Sequence, residues 1–208
     1  MGISIENATK LHFQCLRCGK CCHEVPFVEG ECSYKRIPLY PEEANRLEKI
    51  AKERGIELHL IEDLVFPDEL NKQIILVTWR ILLDNEDKVC PFHLKGQGCT
   101  IHEEKPLACR SYPLALQTID AFNTKIEIDP LCEFTIQNRD ILEKANAKEI
   151  EEIYGEEYEN VKRHLKRNKK VQYKLRILEQ IGKKVIPKQI TSEKFDECLR
   201  NWPRWELP

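Results

Sequence analysis

The residues that could do chemistry are concentrated near the start of the chain. Four cysteines fall within eight residues, at Cys15, Cys18, Cys21 and Cys22. Thiolates spaced by three residues suit a tight loop around a metal, and both zinc and iron–sulfur centres use Cys-x-x-Cys pairs. Gly19 allows the loop a positive φ, and the cations of Arg17 and Lys20 favour thiolate over thiol. The motif therefore predicts a metal site.

A second set of cysteines lies downstream, at Cys90, Cys99, Cys109 and Cys132. Consecutive side chains diverge in strands and helices, so Cys21 and Cys22 are not expected to reach one ion without strain. We therefore predict two centres, or one multi-metal cluster. The simplest assignment gives Cys15, Cys18 and Cys21 to one centre with a downstream cysteine, and Cys22 to the remaining downstream cysteines.

The other thiols and imidazoles fit this pattern less well. Cys32 and Cys198 lie outside it, and we interpret both as ordinary buried or half-exposed thiols. His102 follows Cys99 by three residues, so it is either a further ligand or a hydrogen-bonding neighbour of the site. His23 directly follows Cys22 and is a weaker ligand candidate. Arg110 and Lys20 are each expected either to donate hydrogen bonds to cluster sulfurs or stabilise the thiolates, or else to form a surface salt bridge.

Composition sets the environment in which these thiols act. The chain has 208 residues, 10 cysteines and a net charge of −2. It has neither an apolar signal core at its start nor an apolar run long enough to span a membrane, so we expect a cytoplasmic protein without a membrane partner. Disulfides are rare in reducing cytosol, which favours metal ligation or catalysis over a disulfide framework.

Hydrophobic patterning predicts an α+β fold for the cysteine-rich region. Residues 41–55 have an apolar stripe with helical spacing, and residues 73–83 are rich in β-branched residues, which favours a strand. The remaining predicted elements are a short helix at 59–65, an extended segment at 88–94, a helical turn at 106–113 that presents Cys109, and a hairpin formed by 114–120 and 125–129. These elements predict a small metal-centred domain with a short antiparallel sheet.

The character of the sequence changes near residue 136. We predict a cysteine-cluster domain at residues 1–135 and a helical C-terminal extension at 136–208. One face of the long helix is expected to be apolar, through Tyr158, Val161, Leu165, Leu175, Leu178 and Ile181. Residues 149–159 carry six Glu, whereas residues 161–188 carry eleven Lys or Arg and one Glu. This basic helix is either a solvated face or a docking surface for nucleic acid or an acidic protein.

Three segments together carry a resemblance to a known family. FQCLRCGKCCHE, CPFH and CTIHEEKPLACRSYPL resemble the YkgJ-type CxxCxxCC zinc- or iron-chelating family, and residues 15–132 follow its order of motifs. His102 stands where the family usually has Tyr, and Lys105 where it usually has Arg. Some flagellin lysine N-methylases carry similar cysteines. That similarity implies an iron–sulfur cluster, of the 4Fe–4S type, ahead of zinc.

Three functions are compatible with these observations. The first is a structural or redox metalloprotein that binds an iron–sulfur cluster or zinc through the eight cysteines. The second is an iron–sulfur-dependent protein-modifying transferase, such as a lysine N-methylase, with His102, Arg110 and Tyr112 lining its pocket. The third is a structural-zinc protein whose basic helix contacts nucleic acid or a protein partner. No glycine-rich loop follows a strand, so Rossmann-type nucleotide binding has no support.

Overall fold

The structure, a computed structural model, describes residues 11–23, 37–84, 86–119 and 124–207. Helices are combined with short sheets, which confirms the predicted α+β class. The chain divides into two compact units that alternate along the sequence. The first unit contains residues 1–35 and 83–165, and the second contains 36–82 and 166–208. The bounds of these units differ from the predicted domains, 1–135 and 136–208. Those domains were defined by where the cysteine-rich sequence ends, and they stay a prediction.

The first unit contains short strands and helices followed by one long helix. Its elements are β3 (His93–Leu94), β4 (Gly98–Cys99), α2 (Leu107–Ser111), β5 (Leu114–Thr118), β6 (Thr124–Ile128), α3 (Glu133–Gln137), α4 (Arg139–Leu142) and the first part of α5 (Ala147–Gln180). Strands β3 and β4 form one antiparallel pair, and β5 and β6 form another. The hairpin predicted from residues 114–129 is confirmed, and so is the helical turn that carries Cys109.

An aromatic cluster lies at the centre of the first unit. The Phe13 ring is 5.0 Å from the Phe134 ring and 5.2 Å from the Tyr154 ring, measured between centroids. The Phe13 amide donates to the Ile153 carbonyl at 2.7 Å, so the segment that leads into the cysteine motif is fixed on α5. Buried Cys132 belongs to the same apolar cluster. One metal-ligand candidate is therefore part of the hydrophobic core.

The second unit is built on a three-stranded sheet. Its elements are α1 (Pro41–Arg54), β1 (Leu60–Asp68), β2 (Gln73–Ile81), the second part of α5, α6 (Ser192–Asn201) and β7 (Arg204–Glu206). Strand β2 is central, antiparallel to β1 and parallel to β7. The sequence did not predict β7. Within the described ranges, no helix combines the length and the apolar character needed to span a bilayer.

Helix α1 follows its prediction closely, whereas the segment after it does not. Pro41 occupies the first turn, where its missing N–H is not needed, and Gly55 ends the helix in the left-handed conformation at φ 64°. The short helix predicted at residues 59–65 is wrong, because residues 60–65 belong to β1. That strand lies at the edge of the sheet, which is where a proline such as Pro67 is tolerated in a strand.

Helix α5 buries several of the residues that the sequence predicted for its apolar face, and a single continuous face stays a prediction. Gly155 interrupts the helix, with φ 36° and ψ −97°. Val161 belongs to the core of the first unit, Leu175 belongs to that of the second, and partly buried Leu178 packs against the latter. Ile181 lies beyond the helix and is 56% exposed, so its predicted place on the apolar face is wrong.

One buried carboxylate organises the second unit. Asp68 is 0% exposed and accepts hydrogen bonds from the side chain of Asn71 at 2.6 Å and from the amide of Val185 at 3.0 Å. The ammonium of Lys184 lies 3.1 Å from the carboxylate and 4.1 Å from the centre of the Trp205 ring. Burial raises the pKa of Asp68, but these hydrogen bonds and the Lys184 charge outweigh it and lower the pKa below its ordinary value.

Candidate metal centre

The Cys15–Cys22 loop reverses direction through two residues with positive φ. Arg17 has φ 51° and Gly19 has φ 79°, and a 3₁₀ turn follows at Lys20–Cys22. The Cys22 amide donates to the Gly19 carbonyl at 2.7 Å and closes this turn. Glycine adopts such a conformation without steric cost, as the sequence predicted for Gly19. The result is a curled loop rather than a strand or a regular helix.

Two glycines allow the β3–β4 pair to approach this loop. A Cβ added at Gly19 would overlap the ring of His93. A Cβ added at Gly98 would lie 2.6 Å from the Cβ of Arg17 and 2.7 Å from its carbonyl oxygen. Both glycines also have positive φ, so a side chain at either position would meet backbone strain as well as a clash. The loop and the segment around Cys99 are therefore held together by close contact.

The downstream cysteines reach the loop from four different local structures. The Cys90 amide donates to the Cys22 carbonyl at 2.8 Å, next to an antiparallel bridge between His23 and Val89. Cys99 ends β4, Cys109 lies in α2, and Cys132 precedes the first residue of α3. All eight predicted cysteines lie in the first unit. None of the nine described cysteines forms a disulfide bond.

Cys21 and Cys22 do not point apart as expected. Their sulfur atoms lie 3.7 Å apart. Two thiolates on one tetrahedral zinc ion, each about 2.3 Å from the metal, lie about 3.8 Å from each other. The geometric reason for giving these two cysteines to different ions is therefore wrong for this loop, because the 3₁₀ turn and the positive φ of Gly19 bring the side chains together. The number of centres stays a prediction.

The thiols influence one another electrostatically. The hydrogen bond from Cys21 lowers the pKa of Cys22, but the Cys90 thiol, burial and the charge of Cys109 raise it far above its ordinary value. Burial raises the pKa of Cys99, and the charges of Cys21 and Cys15 add to it. A cation placed among such thiols would reverse this balance and stabilise the thiolates.

Cys132 belongs to the same electrostatic group. Burial raises its pKa, hydrogen bonds from the Thr135 and Phe134 backbone oppose this, and the Cys18 charge raises it further. Exposure of the eight thiols is graded: Cys15 and Cys18 are exposed, Cys132 is buried, and the others are intermediate. One side of the group thus faces solvent and the other faces the core. Among the described residues, no three Cys, His, Asp or Glu side chains are already placed as the ligands of one ion.

Lys20 connects the motif to the segment that carries Cys132. Its ammonium lies 2.5 Å from the Glu133 carboxylate. This hydrogen bond raises the pKa of Lys20, to which the charges of Cys18 and Cys132 also contribute, and it lowers the pKa of Glu133. The salt-bridge alternative for Lys20 is confirmed. The ion pair lies beside the thiols and holds two parts of the group together.

The polar residues around Cys99 and Cys109 contact their own turn. Arg110 donates to the carbonyl oxygens of Lys105 at 2.8 Å and Glu103 at 3.3 Å. The ring nitrogens of His102 lie 3.2 Å from the Glu103 carboxylate and 3.1 Å from the Lys105 ammonium. These contacts stabilise the turn before α2. The ligand role of His102 and a pocket lined by these residues stay predictions.

Tyr112 lies on the buried side of the thiol group. Its ring packs on the core that contains Cys132. Burial raises the pKa of Tyr112, and the nearby charges of Asp129, Cys132 and Cys21 raise it further. The phenol therefore stays protonated at neutral pH.

Two histidines, His23 and His93, accompany the motif, and only His23 was predicted as a candidate ligand. A His23 ring nitrogen lies 2.8 Å from the Gly19 carbonyl oxygen, and the His23 and His93 rings are 5.4 Å apart. Burial and the His23 charge lower the pKa of His93. The spacing that marked His102, three residues after a cysteine, would also have marked His93 after Cys90. Of the two remaining cysteines, Cys198 is buried in the second unit, and Cys32 lies outside the described residues.

Comparison with known proteins agrees with this set of residues. Residues 14–133 match the family described as "CxxCxxCC: Putative zinc- or iron-chelating domain". No curated protein and no solved structure matches the chain. The matched segment covers more than half of the sequence and includes all eight cysteines of the thiol group. The chain therefore belongs to the CxxCxxCC family of zinc- or iron-chelating domains.

Proposed function

We propose that the eight cysteines hold an iron–sulfur cluster, with zinc as the alternative metal for the same donors. The observation that carries the proposal is the approach of the Cys21 and Cys22 sulfurs to 3.7 Å, beside Cys90, whose amide donates to the Cys22 carbonyl at 2.8 Å. Thiolates are soft ligands that select iron–sulfur clusters and zinc over hard cations. The donors present therefore fit either centre.

The interactions among the thiols favour a division into two sets of four. Cys22 interacts with Cys21, Cys90 and Cys109, which makes a first set. We assign the other four cysteines to a second set, in which Cys132 is influenced by the Cys18 charge, and Cys99 by that of Cys15 although more strongly by that of Cys21; its members are Cys15, Cys18, Cys99 and Cys132. This assignment replaces the simpler one that placed Cys21 with Cys15 and Cys18. Each set has the four thiolates that one zinc ion or one cluster needs.

The two sets differ in the centre that they suit. In a 4Fe–4S cluster each of four cysteines binds a different iron, whereas one zinc ion or one iron of a 2Fe–2S cluster takes at least two thiolates. The 3.7 Å between the Cys21 and Cys22 sulfurs supports two thiolates on one ion in the first set. The 4Fe–4S cluster that the lysine N-methylase similarity implies would then belong to the second set.

The exposed side of the second set supports a redox role. Cys15 and Cys18 face solvent, and Cys132 lies in the core. A bound iron–sulfur cluster would supply one-electron chemistry, and its solvent-facing side would be where electrons enter. The chain's own residues would tune that chemistry, since the Lys20 ammonium next to Cys18 and Cys132 stabilises negative charge at this side.

Anaerobic purification followed by iron, zinc and acid-labile sulfide analysis tests the proposal. We expect iron and sulfide in the native protein. The variants Cys90→Ser and Cys109→Ser are expected to lose the metal of the first set, and Cys99→Ser and Cys132→Ser that of the second. Cys198→Ser, a buried cysteine in the other unit, is the matched control and should keep the full content.

Two results would count against this account. Zinc without sulfide in protein that was kept strictly anaerobic would replace the iron–sulfur proposal with the zinc alternative. Loss of all metal in every one of the four site variants would refute the division into two sets and indicate a single cluster.

A further inference from the structure

A second candidate site lies on α5 within the second unit, and nothing in the metal centre explains it. Four exposed cations share one face of this helix, at Lys166, Lys169, Lys170 and Arg176. Among the described residues, none of the four forms an ion pair with an acidic side chain. Neighbouring cations on the same helix behave differently: Lys162 pairs with Glu159, and Arg167 pairs with Glu42. The four are thus an uncompensated basic face.

An exposed aromatic side chain lies in the middle of these cations. Tyr173 is 68% exposed, the highest value among the large hydrophobic side chains that are described. Successive residues of an α-helix are rotated by about 100°, so all four cations lie within about 60° of Tyr173 around the helix axis. Leu175, on the opposite side, is buried in the core of the second unit. The orientation of the helix therefore leaves Tyr173 facing solvent among unpaired charges.

We propose that this face, defined by Lys166, Lys169, Lys170, Tyr173 and Arg176, binds single-stranded nucleic acid. Cations neutralise backbone phosphates, and an exposed aromatic ring provides a surface on which an unpaired base stacks. An acidic protein would use the cations but has no comparable use for the ring. The two features together therefore favour a ligand that carries both phosphates and flat bases.

A second copy of the chain is a poorer partner for this face. The obvious complement would be the acidic stretch at residues 149–159. Three of its six Glu are already paired within the chain, because Glu151 and Glu159 pair with Lys162, and Glu152 pairs with Lys148. Residues 166–208 carry twelve Lys or Arg and five Asp or Glu, so the field around the basic face attracts anions.

The size of the face sets the expected strength of binding. Lys166 and Arg176 are ten residues apart, which is about 15 Å along the helix. Four phosphate contacts to a single strand give a slope of about −2.8 for log K against log salt concentration. Affinity should then fall about 50-fold between 50 and 200 mM salt. This behaviour is typical of a weak, sequence-tolerant interaction.

Fluorescence anisotropy of the full chain with a labelled 20-nucleotide single-stranded RNA of mixed sequence tests the proposal. The triple variant K166Q/K169Q/K170Q should reduce the salt slope to about −0.7. Tyr173→Ala should weaken binding about fivefold or more, and Tyr173→Phe should retain it, because the ring supplies the stacking. The matched control is K49Q/K125Q/K148Q, which has the same charge change at lysines that already pair with Glu53, Glu127 and Glu152.

The outcomes separate this proposal from its alternatives and from the metal centre. If the two triple variants lose the same amount of RNA affinity, or if Tyr173→Ala does not change that affinity, the proposed face is overturned. Equal affinity for poly-glutamate would assign the face to an acidic protein, and unchanged binding to a duplex of the same length would remove the role of stacking. Helix content and metal content should be the same in all variants, so a failure here leaves the proposed metal centre intact.

Discussion

Gly19→Ala is the substitution that most directly tests how the motif loop is held. Gly19 has φ 79°, and a Cβ at this position would overlap the His93 ring. The new methyl group therefore meets two separate penalties. One is the backbone strain of a side chain in the left-handed region, and the other is displacement of an imidazole that packs against the loop.

The two penalties can be given rough sizes. A side chain in the left-handed conformation costs roughly 1–2 kcal/mol. Displacing a packed ring adds about 1 kcal/mol, which is within the range measured between contacting residues. If the sum, about 2–3 kcal/mol, acts on the metal-bound loop, zinc affinity should fall about 30- to 150-fold.

Competition for zinc between the metal-free protein and a chromogenic chelator measures this loss. Gly96→Ala is the matched control, because Gly96 has φ 81° in the same unit but open space where its Cβ would be. We expect Gly96→Ala to leave zinc affinity within about threefold of the native value, because any strain there acts outside the motif loop. Removing the ring with His93→Ala should recover the packing part of the loss in the double variant, leaving about 1–2 kcal/mol of backbone strain. If Gly19→Ala binds zinc as well as Gly96→Ala does, the contact between the loop and His93 has no role in metal binding.

Three further predictions concern other parts of the molecule. Asp68→Asn should destabilise the chain by about 3–5 kcal/mol in urea unfolding, because it leaves the Lys184 ammonium buried without its counter-charge. Folding lowers the Asp68 pKa, so the ionised Asp68 stabilises the folded chain above the ordinary carboxyl pKa, and this stabilisation is lost as pH falls through the lowered value. If the stability of the native protein is no more sensitive to acid than that of Asp68→Asn, this reasoning is refuted. Zinc binding to the metal-free protein should release protons, and zinc affinity should rise between pH 7 and pH 9, because the pKa values of Cys22, Cys99 and Cys132 are raised. Calorimetry in two buffers of different ionisation enthalpy measures this proton release, and a binding enthalpy that is the same in both buffers would contradict it. Lys20→Glu should weaken zinc binding, because it places a second negative charge next to Glu133. The charge-exchanged variant K20E/E133K should restore most of the zinc affinity, and no recovery would mean that Lys20 acts on the sulfurs and not through Glu133.

The parts of the fold that the sequence predicted are those with local causes. Helix α1 follows from its apolar stripe, its early proline and its final glycine, and the β5–β6 hairpin follows from alternation around a short turn. Strand β1 was read as a helix because its apolar residues, Leu60, Ile61, Leu64 and Val65, also fit helical spacing. Pairing with β2, a tertiary interaction, decides its structure.

In the candidate site, too, the features that the sequence did not predict depend on tertiary contacts or on irregular turns. Spacing predicted the eight cysteines as ligands, but it did not show that Cys21 and Cys22 would converge, because ideal strands and helices do not contain the turn that follows Gly19. The packing of His93 on Gly19 joins residues that are far apart in sequence, so no local pattern marks it. The position of Tyr173 among the unpaired cations follows from the rotation of α5 about its axis, which buries Leu175 and leaves Tyr173 68% exposed.

X-ray absorption spectroscopy at the metal edge of anaerobically purified protein tests the central claim most directly. We predict that all of the bound metal has a first shell made of sulfur alone, with metal–sulfur distances of about 2.3 Å for any zinc present. Cys198→Ser should leave the spectrum unchanged, and Cys22→Ser should alter it. A first shell that contains nitrogen or oxygen in the native protein would contradict a centre built from the eight cysteines.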